Sequence, residues 1–192
     1  MTDVVLTPRL TRALAVAAEA HDGHYRKATA IPYVSHVYAV MHVASRQGLP
    51  AEIEEDVLIA CLLHDTLEDV SERYGRAQML ADFGPRVVSL VEGVTKDSTL
   101  AGWRERSEAY LEHLRGAEYG SVVISACDKL HNLTSILEDY AVQGEALWDR
   151  FNSGKEQQQW WYGAVLEVVS ERAPELPLLD EYRAKVAALR AL

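Results

Sequence analysis

The stretch Val57-Leu58-Ile59-Ala60-Cys61-Leu62-Leu63-His64-Asp65-Thr66-Leu67-Glu68-Asp69 decides how the rest of the chain is read. Its apolar run is too short to span a bilayer and opens after Pro50 and a cluster of acidic residues, which predicts a buried helix. The end of that helix carries His64, Asp65, Glu68 and Asp69. Leaving a carboxylate buried and unpartnered costs on the order of several kcal/mol, so these groups need a cation, a charged partner or water. A metal ion meets that need most simply. His64 and Asp65 are adjacent and can turn toward one point, whereas Glu68 and Asp69 lie one turn on, placed for acid-base work or for supporting the ligands.

A histidine-aspartate doublet is weak evidence alone, and a second source of ligands is required. The segment Val122-Val123-Ile124-Ser125-Ala126-Cys127-Asp128-Lys129-Leu130-His131-Asn132-Leu133 reads as another apolar helix. It buries Asp128 and places Asn132 on the same face one turn later. A further histidine, His36, follows an expected helix start at Pro32-Tyr33. Together, His36, His64, Asp65 and Asp128 make a two-histidine, two-aspartate candidate site. The set holds no thiolate, against a structural zinc, and has more nitrogens than magnesium usually accepts, so one Mn2+ is the expected ion. Such an ion acidifies bound water, while Glu68 or Asp69 takes the proton.

The motifs carry a resemblance. Ala20-His21-Asp22-Gly23-His24-Tyr25-Arg26-Lys27, Pro32-Tyr33-Val34-Ser35-His36, Leu62 to Asp69, Phe83-Gly84, Val91-Glu92-Gly93-Val94-Thr95-Lys96 and Cys127 to Asn132 resemble the successive motifs of the alarmone-hydrolase branch of the HD phosphohydrolases. They run in the family's order over residues 10 to 140. The resemblance implies an all-α, HD-domain helical bundle that removes the 3′-pyrophosphate from guanosine tetra- and pentaphosphate, yielding GDP or GTP. Its partner is then a small purine nucleotide carrying a 3′-pyrophosphate. Two departures bear on substrate preference: Ala28-Thr29-Ala30-Ile31 replaces a shorter Gly-containing turn, and His24 stands where a glutamine is usual.

Charge narrows the partner. A formal net charge of -10 argues against an extended nucleic-acid surface, which requires a basic face. A small anion needs basic groups gathered locally. Arg26 and Lys27 just before His36, Lys96 in its motif, and Lys129 with Asn132 beside Asp128 are the expected substrate contacts. Lys155 and Trp161, in the Trp160-Trp161-Tyr162 group, are a candidate platform for a base, although such a group also suits a core or an oligomer contact. Oligomeric state stays open.

The remainder reads as helices throughout one domain, residues 1–192, with no repeat. Thr7-Pro8 caps a first helix ending near His21, a second runs from about Pro32 to Gln47, and Ser71 to Asp82 is polar enough to lie outside. A charged helix carries Trp103 to Leu114. Cys61 and Cys127 sit in apolar runs and read as core. His42 and His113 read as structural or solvent-facing, while His21 and His131 could support a ligand, His131 being turned partly aside. The opening Met1-Thr2-Asp3-Val4 carries an acid and resembles no leader, and no apolar stretch reaches transmembrane length, so a cytoplasmic protein without membrane contact is expected. Two other readings stay open: an HD phosphohydrolase for an adenosine alarmone or a nucleoside monophosphate, and a nucleotide-binding module without turnover. The Glu68-Asp69 pair argues against the last.

Overall fold

A computed structural model describes residues 6–192, so Met1 to Val4, read above for a leader, lie outside the described residues. Among those described, every extended element is helical, and a single antiparallel bridge joins Tyr25 to Pro32. No helix among them is long and apolar enough to cross a membrane.

Helix α1 (Pro8–Ala20) starts as its sequence dictates. Thr7 Oγ1 accepts a hydrogen bond from the Leu10 amide at 3.0 Å, and Pro8 occupies the first turn, where no amide hydrogen is needed. Helix α2 (Val34–Ala44) begins two residues after the expected Pro32, because its entry is a tighter turn. There the Ser35 and His36 amides donate to the carbonyls three residues back, at 3.1 and 2.8 Å. Helix α3 (Ala51–Leu63) is buried at every position from Val57 to Leu63. A helix apolar all round must be covered all round. After α3 come α4 (Thr66–Asp69), α5 (Arg76–Phe83), α6 (Pro85–Glu92), α7 (Trp103–Gly116) and α8 (Tyr119–Gln143). A 3₁₀ segment, Gly144–Arg150, leads to α9 (Gly154–Arg172) and α10 (Leu179–Arg190). Helix α3 is enclosed by α1, α2, α6 and α8, and α8 in turn carries α9 and α10 on its far side.

Two expectations need correction. The quoted stretch is not one helix to Asp69 but breaks at His64-Asp65. His64 Nδ1 lies 2.7 Å from the Cys61 carbonyl, and Thr66 Oγ1 donates to the Leu63 carbonyl at 2.7 Å. Both carbonyls would otherwise accept the amides of Asp65 and Leu67, so side chains take over the bonds that would have continued the helix. The chain turns, and Asp65 becomes the residue that caps α4. The segment Ser71 to Asp82 is not wholly outside either, since Tyr74 and, on α5, Met79 are buried in the core.

Helix α8 can approach α3 and α6 closely because it carries Gly120 near its start. A Cβ built there would lie 2.6 Å from Leu90 Cδ2 and 2.9 Å from Val57 Cγ2. The leucine tip can move, but a β-branched valine has little rotamer freedom. Gly120→Ala should therefore destabilise the protein by roughly 1–2 kcal/mol net, overpacking outweighing the gain in helix propensity. A lowered urea midpoint with an unchanged slope is the measurement that checks it.

Candidate metal centre and anion cleft

The break after α3 aims His64 and Asp65 at the same point that α2 and α8 approach. His64 Nε2 lies 3.0 Å from Asp65 Oδ2, and His36 Nε2 lies 3.2 Å from Asp128 Oδ1 and 3.5 Å from Asp65 Oδ2. His64 Nε2 is 3.8 Å from Asp128 Oδ1, closing the ring of four. Ligand atoms of His36, His64 and Asp65 all fall within 4.8 Å of one another. Despite the short distances, both imidazole Nε2 atoms are buried without a hydrogen-bond partner. Unpartnered buried nitrogens facing two carboxylates are what a cation between them would satisfy, and the donor set fits a divalent ion.

Electrostatics agree. Burial disfavours a charged His64, but Asp65 and Asp128 outweigh it and hold the imidazolium well above the usual histidine range. Asp65 and Asp128 resist burial likewise: their carboxyls stay well below the usual range, Asp65 through His64 and His36, Asp128 through Lys129 and both histidines. The cluster demands positive charge, from a proton when no metal is bound, and taking up a metal must displace that proton.

Three of the four candidate ligands are braced by neighbours on these elements. Tyr33 Oη donates to Asp65 Oδ2 at 2.6 Å, Lys129 Nζ and the Asn132 amide donate to the two oxygens of Asp128, and the Cys61 carbonyl holds His64 Nδ1. Such outer contacts fix ligand orientation. Glu68 and Asp69, on α4, reach solvent beside the centre, with Glu68 Oε2 accepting the Lys96 amide at 3.2 Å. Partial burial, then the charges of Asp65 and Glu68, raise the Asp69 carboxyl to about 7, the range suited to a proton acceptor near neutrality.

A cavity of about 370 Å³ adjoins the centre; Arg26, Lys27, Tyr33 and Asn132 line it, together with Glu138 and the Arg150–Asp139 ion pair. It shares walls with the centre, since Tyr33 holds Asp65 and Asn132 holds Asp128. On the Glu68 side, Lys96 Nζ lies 4.3 Å from the centroid of the Trp161 ring, with Lys129 Nζ 5.7 Å from it. Burial and the neighbouring Lys129 lower Lys96 to about 8.

The structure therefore brings together His36, His64, Asp65, Asp128, Glu68, Asp69, Arg26, Lys27, Lys129, Asn132 and Lys96. It does not bring Lys155 to them: Lys155 Nζ is bound to Glu145 Oε1 at 2.9 Å and to the Leu192 oxygen at 2.6 Å. Nor does it give a base an open face of Trp161, which is 4% exposed and packed among Trp103, Tyr110 and Lys96. Sequence reasoning missed Tyr33 as the brace of Asp65. The signal available was its place one turn before His36. Arg150, which the sequence did not mark either, lines the cavity but is paired with Asp139 and Gln143, both at 2.7 Å.

The chain belongs to the HD domain family, whose sequence profile matches residues 13–152. Among relatives, it is 34% identical over 134 residues to the bifunctional (p)ppGpp synthase/hydrolase SpoT of Escherichia coli K12, a match covering 67% of this chain and 18% of that protein. It is 31% identical over 121 residues to the guanosine-3′,5′-bis(diphosphate) 3′-pyrophosphohydrolase MESH1 of Danio rerio, covering 62% of this chain and 64% of the relative. The chain thus spans under a fifth of the SpoT length and less than two thirds of MESH1. A solved structure of a metazoan SpoT ortholog has the same fold, with a TM-score of 0.78 at 24% identity and 98% of each chain covered.

Proposed function

We propose that this protein is a cytoplasmic, single-domain hydrolase that removes the 3′-pyrophosphate of guanosine tetra- and pentaphosphate with one Mn2+ held by His36, His64, Asp65 and Asp128. The observation that carries the reading is the pair of unpartnered Nε2 atoms facing two carboxylates, set against a cavity that presents Arg26 and Lys27 and shares Tyr33 and Asn132 with them. Relatives named for this reaction support the substrate. The bound ion supplies Lewis acidity at the phosphoryl group.

The chain's own residues do the rest. Arg26 and Lys27 from one side, and Lys129 and Lys96 from the other, counter the charge of the phosphates. Asn132, fixed by Asp128, adds a neutral donor. Asp69, with Glu68 beside it, accepts a proton from the attacking water. The water oxygen bonds to the phosphorus attached to the ribose 3′-oxygen, and the P–O bond to that oxygen breaks. Its electron pair stays on the 3′-oxygen, which takes a proton from solvent and leaves on GDP, while intact pyrophosphate departs. Trp161 acts at one remove, by stacking on Lys96.

Guanosine tetraphosphate incubated with protein and Mn2+ in ¹⁸O-water should give GDP and pyrophosphate, with the label in the pyrophosphate and little orthophosphate. Labelled orthophosphate released stepwise, or cleavage of nucleoside monophosphates alone, would favour the other phosphohydrolase reading.

A further inference from the structure

We infer that His131 is a positioning residue for His36: it fixes the tautomer and rotation of that imidazole so that Nε2 faces Asp65 and Asp128. The inference rests on His36 being a ligand of the centre.

The two candidate-ligand imidazoles are supported differently. His64 has its Nδ1 against the Cys61 carbonyl at 2.7 Å, an acceptor with no alternative state. His36 has no such carbonyl, and its Nδ1 lies 2.8 Å from Nδ1 of His131, the rings 4.9 Å apart between centroids. Two imidazole nitrogens at that distance share one proton, so one must donate and the other accept. If His36 is to offer a lone pair at Nε2, its proton sits on Nδ1 and is donated to His131. His131 must then be bare at Nδ1 and protonated at Nε2. The other assignment, with the proton on His131 Nδ1, puts hydrogen on His36 Nε2 and closes it to a cation. His36 is 0% exposed, so no water can stand in for the missing partner.

Chain geometry gives the contact its rigidity. His131 lies three residues after Asp128 on α8, so one helix supplies a carboxylate facing Nε2 of His36 and the acceptor facing its Nδ1. The far side of His131 lines a separate groove of about 450 Å³ with Arg46 and Thr134, where its Nε2–H can meet solvent. Both ends of the relay are thereby satisfied.

The test measures Mn2+ affinity by competition with a chelator, with no nucleotide present. His131→Asn keeps an oxygen where Nδ1 stands, whereas His131→Gln carries it toward the position of Nε2, and His131→Leu removes the acceptor. The Leu and Gln variants should bind Mn2+ about 10- to 100-fold more weakly, and the Asn variant within about threefold of the parent. Metal-free proteins should melt alike. Should the Leu variant fail to fold, the split between Asn and Gln still decides, because a merely space-filling role would not distinguish them. Equal affinities for Asn and Gln, or parental affinity in a folded Leu variant, overturn the inference. A His36→Ala control separates the two levels: loss of Mn2+ there with parental affinity in His131→Leu refutes only the relay, whereas parental affinity in His36→Ala refutes the ligand assignment itself.

Discussion

Asp128→Ala should yield a helical protein without bound divalent ion and with turnover of guanosine tetraphosphate reduced by about three orders of magnitude or more, since the ion's charge stabilisation is worth several kcal/mol. Asp128 faces both imidazoles and is bound by Lys129 and Asn132, so its removal opens the ring of four and releases two groups of the cleft wall. Metal content of the purified variant, with circular dichroism to verify the fold, checks it. A fully loaded Asp128→Ala protein would remove that residue from the coordination sphere. The same logic predicts that chelation lowers the melting temperature of the parent and barely moves that of the variant, because a ligand stabilises only the state that binds it.

Asp69→Asn should keep the ion and lose roughly two to four orders of magnitude in turnover, the range for removing a general base. The residue lies a full turn beyond Asp65 and has no part in the ring. Its carboxyl, raised to about 7 by partial burial and then by Asp65 and Glu68, must be ionised to accept a proton. The sign follows: below that value the group is protonated and idle, so turnover climbs as pH rises through it. A bound divalent cation favours the ionised form, moving this limb to lower pH in the loaded enzyme. The acid limb of the kcat profile should vanish in Asp69→Asn. Should it persist there and vanish in Glu68→Gln, the proton acceptor is Glu68.

Much of this was legible in sequence because burial writes itself into composition. Apolar runs such as Val57 to Leu63 and Val122 to Cys127 announce covered helices, and the charged residues that directly follow each run, His64-Asp65 and Asp128, announce a site. What could not be read is lateral. The Tyr33–Asp65 bond joins residues 32 apart and the His36–His131 bond residues 95 apart, and beyond the place of Tyr33 one turn before His36 no local pattern points to either meeting. The break at His64-Asp65 was hidden for another reason: side chains displace backbone bonds there, and propensity does not register that competition. Lys155 and Trp161 illustrate the reverse, an aromatic and basic composition whose orientation the fold alone decides.

The basic cleft sits in a chain whose formal charge is -10. For an approaching polyanion these two facts act over different ranges. Beyond a Debye length, about 10 Å at 0.1 M ionic strength, an incoming nucleotide meets a repelling body, and only inside that distance do Arg26, Lys27 and Lys129 prevail. Raising salt from very low levels should therefore speed capture by muting the distant repulsion, and raising it further should slow capture as the short-range attraction is screened. The rate of substrate association should pass through a maximum with salt, and it is the acidic exterior, remote from the chemistry, that sets where that maximum falls.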